Sequence, residues 1–268
     1  MTVDVLDTVD TETREIVPYW GRSQRVIVRQ GERTVFACVA TPRSPSWWFL
    51  DECVPDRDDP DTAAVLVRLC DHLRATFGLE HLVAVHPVGW AATLAAVGAQ
   101  PLQRIAPLRL RLDATLLGMH QRPLPDGYRV EPLAGNDSAA LGALSADRDR
   151  DQDERTWQEA FDGSHGDLVP AACRGVVRRD GIRAAVAVTL HRGVPLVAHL
   201  ASSPLERGNG LGRAVLVDAL LALADAGYAE CTLRVAQDNV VAYRLYRSLG
   251  FTLHGSVTQV SWLRGNDA

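Results

Sequence analysis

The chain has 268 residues, of which 47% are hydrophobic and 23% charged, with a net charge of −5 and a pI near 5.9. Those values fit a folded globular protein with room for two moderate cores and argue against disorder. The acidic balance excludes the basic surplus expected of a nucleic-acid binder, while leaving room for a local basic pocket for phosphates.

The N-terminal stretch Met1–Val17 is acidic where a secretory leader would be basic and then apolar. No run approaches the roughly 18 apolar residues of a membrane span. The richest, Ala214–Ala226, is interrupted by Asp218 and Asp225. A cytoplasmic protein with no membrane partner is the expectation. Lysine is absent, so Schiff-base chemistry is unavailable and arginine supplies the permanent side-chain cations. The cysteines (Cys38, Cys53, Cys70, Cys173, Cys231) are scattered, with no C-x-x-C pair and no histidine at metal-ligand spacing. They read as buried small hydrophobes, and no metal is expected.

In the first half, Val65, Leu66, Leu69 and Leu73 set one apolar face of a helix over Asp61–Phe77, stopped by Gly78. Pro107–Leu112 reads as a strand. The segment Gln121–Gly127, with two prolines and a glycine, reads as a linker that divides the chain into residues 1–122 and 123–268. Beyond it come a short strand, Tyr128–Pro132, and a polar helical region, Asp137–Phe161. Strands Ala172–Arg178 and Arg183–His191 follow, joined by an Asp180-Gly181 turn. A third strand, Pro195–Ser202, opens into Glu206-Arg207-Gly208-Asn209-Gly210-Leu211-Gly212. A strong helix follows, with Leu211, Val215, Leu216, Ala219, Leu220 and Leu223 on helical spacing and Gly227 as its stop. The strand Cys231–Val235, a helix through Leu249, and strands around Thr252 and over Thr258–Leu263 complete a mixed α/β pattern.

The first half repeats this order in a worn form. At one constant offset, Val54-Pro55 lies under Ser203-Pro204 and Gly78 under Gly227. A repeat this long suggests two copies of one domain.

The glycine-rich stretch sits between a buried strand and a helix start, where exposed backbone N–H groups and the helix dipole make an anion site. Arg207 and Arg213 can add charge. A Walker A loop would need a Gly-Lys-Ser/Thr ending, which is missing, and a dinucleotide fingerprint would need glycine where Arg213 stands.

Leu200-Ala201-Ser202-Ser203-Pro204-Leu205-Glu206-Arg207-Gly208-Asn209-Gly210-Leu211-Gly212 resembles the acyl-CoA signature of the GNAT N-acyltransferase superfamily, Arg/Gln-x-x-Gly-x-Gly/Ala. Asn239-Val240-Val241-Ala242-Tyr243-Arg244-Leu245-Tyr246, then Leu249-Gly250-Phe251, resembles the family's second landmark. The likeness covers residues 126–264 closely and 20–115 in outline. It implies two tandem GNAT-like domains, each a mostly antiparallel twisted sheet with a splayed central strand pair flanked by helices. The tandem organisation resembles that of mycothiol synthase, in which the second domain is the active one.

The resemblance implies acetyl-CoA as acyl donor, with the pyrophosphate held by the backbone N–H groups of Gly208, Asn209, Gly210, Leu211, Gly212 and Arg213, and with Arg207 as a further cofactor-binding residue. Leu200, Ala201 and Ser202 would pair with the pantetheine arm, and Asn239 would support the cofactor. Tyr246 matches the family position that protonates the departing thiolate. A phenol of pKa near 10 can donate to a thiolate whose thiol has a pKa of about 8.5. The general base is not evident: Arg234, Leu196 and Ala198 stand at positions where relatives carry acids. His199 is expected on the strand face opposite Leu200 and Ser202 as a packed histidine, with His191 and His254 as further options. The acidic run Asp147–Glu154 is read as a solvated helix face. The acceptor implied is a small-molecule amine or a peptide N-terminus.

The first half lacks this chemistry. Asp58-Asp59-Pro60-Asp61-Thr62 replaces the glycine loop, Leu94 stands for Tyr246 and Pro87 for Asn239. Residues 1–122 are therefore expected neither to bind CoA nor to catalyse. The competing reading is an acyl-CoA-binding or sensing protein without turnover.

Overall fold

The computed structural model describes residues 2–7, 24–30, 33–44, 47–54, 60–96, 98–133, 138–145, 157–158, 160–161 and 166–264. In chain order the strands are β1 (Thr2–Asp7), β2 (Gln24–Gln30), β3 (Arg33–Ser44), β4 (Trp47–Val54), β5 (His81–Pro87), β6 (Gln100–Arg111) and β7 (Arg129–Pro132). They continue with β8 (Asp167–Leu168), β9 (Arg174–Arg178), β10 (Gly181–His191), β11 (Val194–Ser202), β12 (Glu230–Ala236), β13 (Thr252–Leu253) and β14 (Thr258–Arg264). The helices are α1 (Pro60–Phe77), α2 (Ala91–Ala96), α3 (Ala114–Gly118), α4 (Ser138–Gly142), α5 (Leu211–Asp225) and α6 (Val240–Ser248). The acidic run Asp147–Glu154 and the residues Asp58 and Asp59 lie outside the described residues.

Two compact units emerge, and neither is a contiguous half of the chain. One gathers Met1–Ala106, Ala236–Asn239 and Gly255–Ala268; the other gathers Pro107–Val235 and Val240–His254.

In the first unit the strand order is β1-β2-β3-β4-β5-β14-β6, antiparallel except for the β4–β5 pair. The last strand of the chain is thus central here: β14 pairs with β5 from Thr258↔Pro87 to Arg264↔His81. On its other side it pairs with β6 from Thr258↔Ile105 to Trp262↔Gln100. Helix α1 buries Leu66, Leu69, Cys70 and Leu73 against Phe36, Leu50, Leu82 and Trp90. Fully burying each such aliphatic side chain is worth about 1.5–3 kcal/mol.

Buried polar side chains hold β14 in register. His86 Nδ1 donates to the Pro87 carbonyl at 2.8 Å, so Nε2 is left to accept from Ser261 Oγ at 2.9 Å. Gln259 Nε2 donates to Gln103 O at 3.0 Å and to Val260 O at 2.9 Å. Because a slip by one residue reverses the face of every side chain, the two cross-strand bonds, Ser261 to His86 and Gln259 to Gln103, are lost in any other register.

In the second unit the order is β6-β12-β11-β10-β9-β7, with β13 on β6 and β8 on β10. Helix α5 packs on β9, β10 and β11 and buries Leu211, Val215, Leu216, Ala219, Leu220 and Leu223, as its periodicity predicts. Asp218, which breaks the apolar run, accepts from Arg174 Nε of β9 at 2.8 Å. A second cluster, Leu141, Leu144, Trp157, Ala160, Cys173, Ala185 and Ala187, includes residues of β10 that alternate with those facing away. Cys38, Cys70, Cys173 and Cys231 are buried and carry no disulfide among the described residues, and burial pushes the Cys231 thiol up to about 12. No described helix is long and apolar enough to cross a membrane.

Burial holds the His86 imidazole below the ordinary histidine pKa, with the Pro87 carbonyl opposing that shift. The unfolded chain therefore takes up a proton at higher pH than the folded one. Stability is complete above about pH 6.5 and falls as pH drops through the lower folded value. Urea melts of wild type and His86→Gln between pH 7.5 and 5.0 should show a steeper acid loss in wild type. Parallel slopes would deny His86 this role.

Candidate functional site

Strand β11 ends at Ser202, whose successor Ser203 donates its N–H to Arg183 O at 2.8 Å. A 3-10 turn at Pro204–Glu206 then leads to Gly208 at φ 88° and Gly210 at φ 76°. Side chains are strained in that left-handed region, so glycine is required at both positions. Gly212 is different. Its φ is not in that region, and a Cβ there would meet nothing within 4 Å. Glycine in a helix costs about 1 kcal/mol relative to alanine, and no neighbour demands it here. A ligand approaching the backbone would.

Ala214 N–H makes the first helical bond, to Gly210 O at 3.0 Å. The N–H groups of Gly208, Gly210, Leu211, Gly212 and Arg213 have no partner among the described residues, and α5 has no side-chain cap. Five amides and a helix N-terminus therefore form a ready site for an anion. The glycine loop fits a pyrophosphate in donor chemistry and in open space.

Leu211 is buried under α5 and offers only its N–H. Asn209 Nδ2 is engaged by Glu206 Oε2 at 3.1 Å. Arg213 Nη2 reaches Ser248 Oγ at 2.5 Å, tying α5 to the end of α6. Arg207 is exposed.

The strand pair beside the loop opens. β11 and β12 pair in parallel only at Leu196↔Thr232 and Val197↔Leu233. Past Val197, Ala198, His199, Leu200, Ala201 and Ser202 have no strand partner on the β12 side among the described residues, leaving an extended backbone edge. The register between β10 and β11 shifts at Ala187/Val188, opposite His199 and Val197, so Ala198 is a bulged extra residue. The bulge lets Ala198 and Ala201 both pack against the Trp157 cluster, which strict alternation forbids. His199 meets Trp157 edge-on with ring centroids 4.4 Å apart. It shares the face of Ala201, as alternation with Leu200 and Ser202 requires.

Helix α6 carries Tyr246, which is 7% exposed and packs edge-to-face on Phe251 at 5.8 Å. Phe251 N–H returns to Tyr246 O at 3.1 Å, and Gly250 at φ 93° makes the turn. Burial pushes the Tyr246 phenol up to about 12, so the neutral, proton-bearing form is strongly favoured. Asn239 is exposed and donates its N–H to Ala236 O at 3.1 Å. In the first unit, Leu94 is buried in the core and Pro87 closes β5. Among the described residues no His/Cys/Asp/Glu cluster could hold a metal ion.

Glu206 and its partners Arg178 and Arg183 escape motif reading. Their only sequence signal is a carboxylate directly before the glycine stretch.

Residues 127–251 match the family model described as acetyltransferase (GNAT) family. A mycothiol acetyltransferase of Kineococcus radiotolerans is 32% identical over 166 residues, 58% of this chain and 53% of that protein. An uncharacterized protein of Mycobacterium leprae is 27% identical over 264 residues, 93% of this chain and 63% of its own length. The chain thus spans less than two thirds of the length of these curated relatives. Among solved structures, a tandem GNAT protein from the clavulanic acid biosynthesis pathway superposes with a TM-score of 0.67 at 14% identity, covering all of both chains. At that identity the likeness is one of fold.

The burial of Tyr246 has a spectroscopic consequence. In an alkaline titration followed at the phenolate absorbance, the difference between wild type and Tyr246→Phe should develop near pH 12. A difference centred near the ordinary tyrosine value of about 10 would contradict the buried placement.

Proposed function

We propose that this protein, whose residues 127–251 match the acetyltransferase (GNAT) family model and whose fold is that of a tandem GNAT protein, transfers an acetyl group from acetyl-CoA to a primary amine. The transfer is direct attack in a ternary complex, within residues 123–268; residues 1–122 supply no catalytic group. The observation that carries this reading is the array of N–H groups at Gly208, Gly210, Leu211, Gly212 and Arg213 that have no partner among the described residues.

Acetyl-CoA would supply the activated thioester. The loop amides and the N-terminus of α5 bind its pyrophosphate without needing a lysine. The open edge of β11 from Ala198 to Ser202 offers peptide groups to an extended pantetheine amide chain, and an N–H there can stabilise charge on a carbonyl oxygen. As the amine nitrogen bonds to the acetyl carbon and the C–S bond breaks, Tyr246 gives its Oη proton to sulfur, and the proton shed by the amine passes to solvent water, from which the phenolate is reprotonated.

A phenol near 12 is a weaker acid than the sulfur it must protonate. The burial that raises the phenol also penalises a thiolate, so the two values rise together and the mismatch narrows. The acceptor is a small-molecule amine or a peptide N-terminus. The mycothiol acetyltransferase relatives favour the former.

Thiol release from acetyl-CoA should be followed across a panel of primary amines. With any amine that supports turnover, Tyr246→Phe should lower kcat by about 10²–10⁴-fold with little change in acetyl-CoA binding. An unchanged kcat would remove Tyr246 as the acid. Binding with no turnover on any amine would favour a sensing role instead.

A further inference from the structure

The glycine loop is poorly held by its own bonds. Arg207 N–H to Pro204 O and Asn209 N–H to Glu206 O are both long, at 3.4 Å. Three glycines in the six residues Arg207–Gly212 add backbone freedom, so an ordered array of N–H groups requires a hold from outside the loop.

Glu206 provides one. Its side chain is 15% exposed, although a carboxylate beside a phosphate site belongs in water or away from it. Oε2 accepts from Asn209 Nδ2 at 3.1 Å. Oε1 faces Arg178 Nη1 at 3.8 Å and Arg183 Nε at 3.9 Å, from β9 and β10. Arg178 is itself fixed: Nη1 donates to Tyr128 Oη at 3.3 Å, and the guanidinium lies 5.4 Å from the Tyr128 ring centroid. Arg183 also pairs with Asp180 across the β9–β10 turn. The carboxylate therefore bonds inward to the loop and faces outward to two sheet arginines.

We propose that Glu206 is a positioning residue: it clamps the glycine loop to the β9–β10 hairpin through Asn209, Arg178 and Arg183, holding the donor array in its anion-binding shape before the ligand arrives. This rests on the acyl-CoA reading above. The two arginines also offset the negative charge that would otherwise oppose a pyrophosphate.

The clamp and simple charge repulsion predict opposite signs. Removing a carboxylate next to an anion site should tighten anion binding if repulsion dominates, and weaken it if preorganisation dominates. CoA and pantetheine, which lacks the pyrophosphate, are titrated into the full-length wild type, Glu206→Ala, Glu206→Gln and Tyr128→Phe. The clamp predicts a CoA affinity lower by about tenfold or more in Glu206→Ala. It predicts partial rescue in Glu206→Gln, which keeps an acceptor for Asn209, and a loss of a few-fold in Tyr128→Phe. Pantetheine affinity should not move, whereas general structural damage would reduce both ligands. Should Glu206→Ala not fold, Glu206→Gln and Tyr128→Phe carry the same comparison. Equal or tighter CoA binding in the folded variants overturns the clamp. Wild type silent to CoA overturns the acyl-CoA reading, and the clamp's purpose with it.

Discussion

Backbone donors at a helix start need partners, and this chain answers that need in two ways. At α3, Asp113 sits at the N-cap and accepts the Leu116 N–H at 3.0 Å, closing the end with a side chain. At α5 the cap is Gly210, which has no side chain to offer. Its neighbours Gly208 and Gly212 carry no Cβ to crowd the space in front. The donors left open in this way, together with the positive end of a 15-residue helix, are what an anionic group would satisfy. Most of the functional reading depends on that one unsatisfied end.

The rest of the second unit keeps that end in place. Helix α5 is anchored by Leu211, Leu216 and Leu220 in the core and by Asp218 on Arg174. The bulge at Ala198 and the early end of β11–β12 pairing leave an extended peptide edge leading to the loop. Tyr246, buried against Phe251, keeps its proton to high pH. None of these features needs a metal or a nucleophilic side chain, so the chemistry proposed is binding, orientation and one proton.

Legibility in the sequence followed the range of the interactions. The glycine loop, α5 and the tyrosine helix are local patterns, and punctuation by Pro204, Gly227 and Gly250 marked their limits. The core face of α1 was equally plain from Leu66, Leu69 and Leu73. What could not be read was pairing over distance. His86 meets Ser261 across 175 residues, and β14 enters a sheet built from the start of the chain. Nothing in a strand's own alternation names its partner. The bulge at Ala198 was likewise hidden, because an extra residue alters register without altering composition. The side-chain partners of Asn209 and Arg213, Glu206 and Ser248, were equally hidden, because the motif fixes the backbone of the loop and not where its side chains turn.

The most direct test of the account is calorimetric titration of the full chain with acetyl-CoA, comparing wild type with Gly212→Glu. Position 212 tolerates a side chain sterically, and a glutamate in the first turn of a helix favours the helix dipole. The variant should therefore be at least as stable as wild type to heat. The account predicts one saturable site per chain in wild type and none in Gly212→Glu. Two sites, no site in wild type, or undiminished binding in the variant would contradict it.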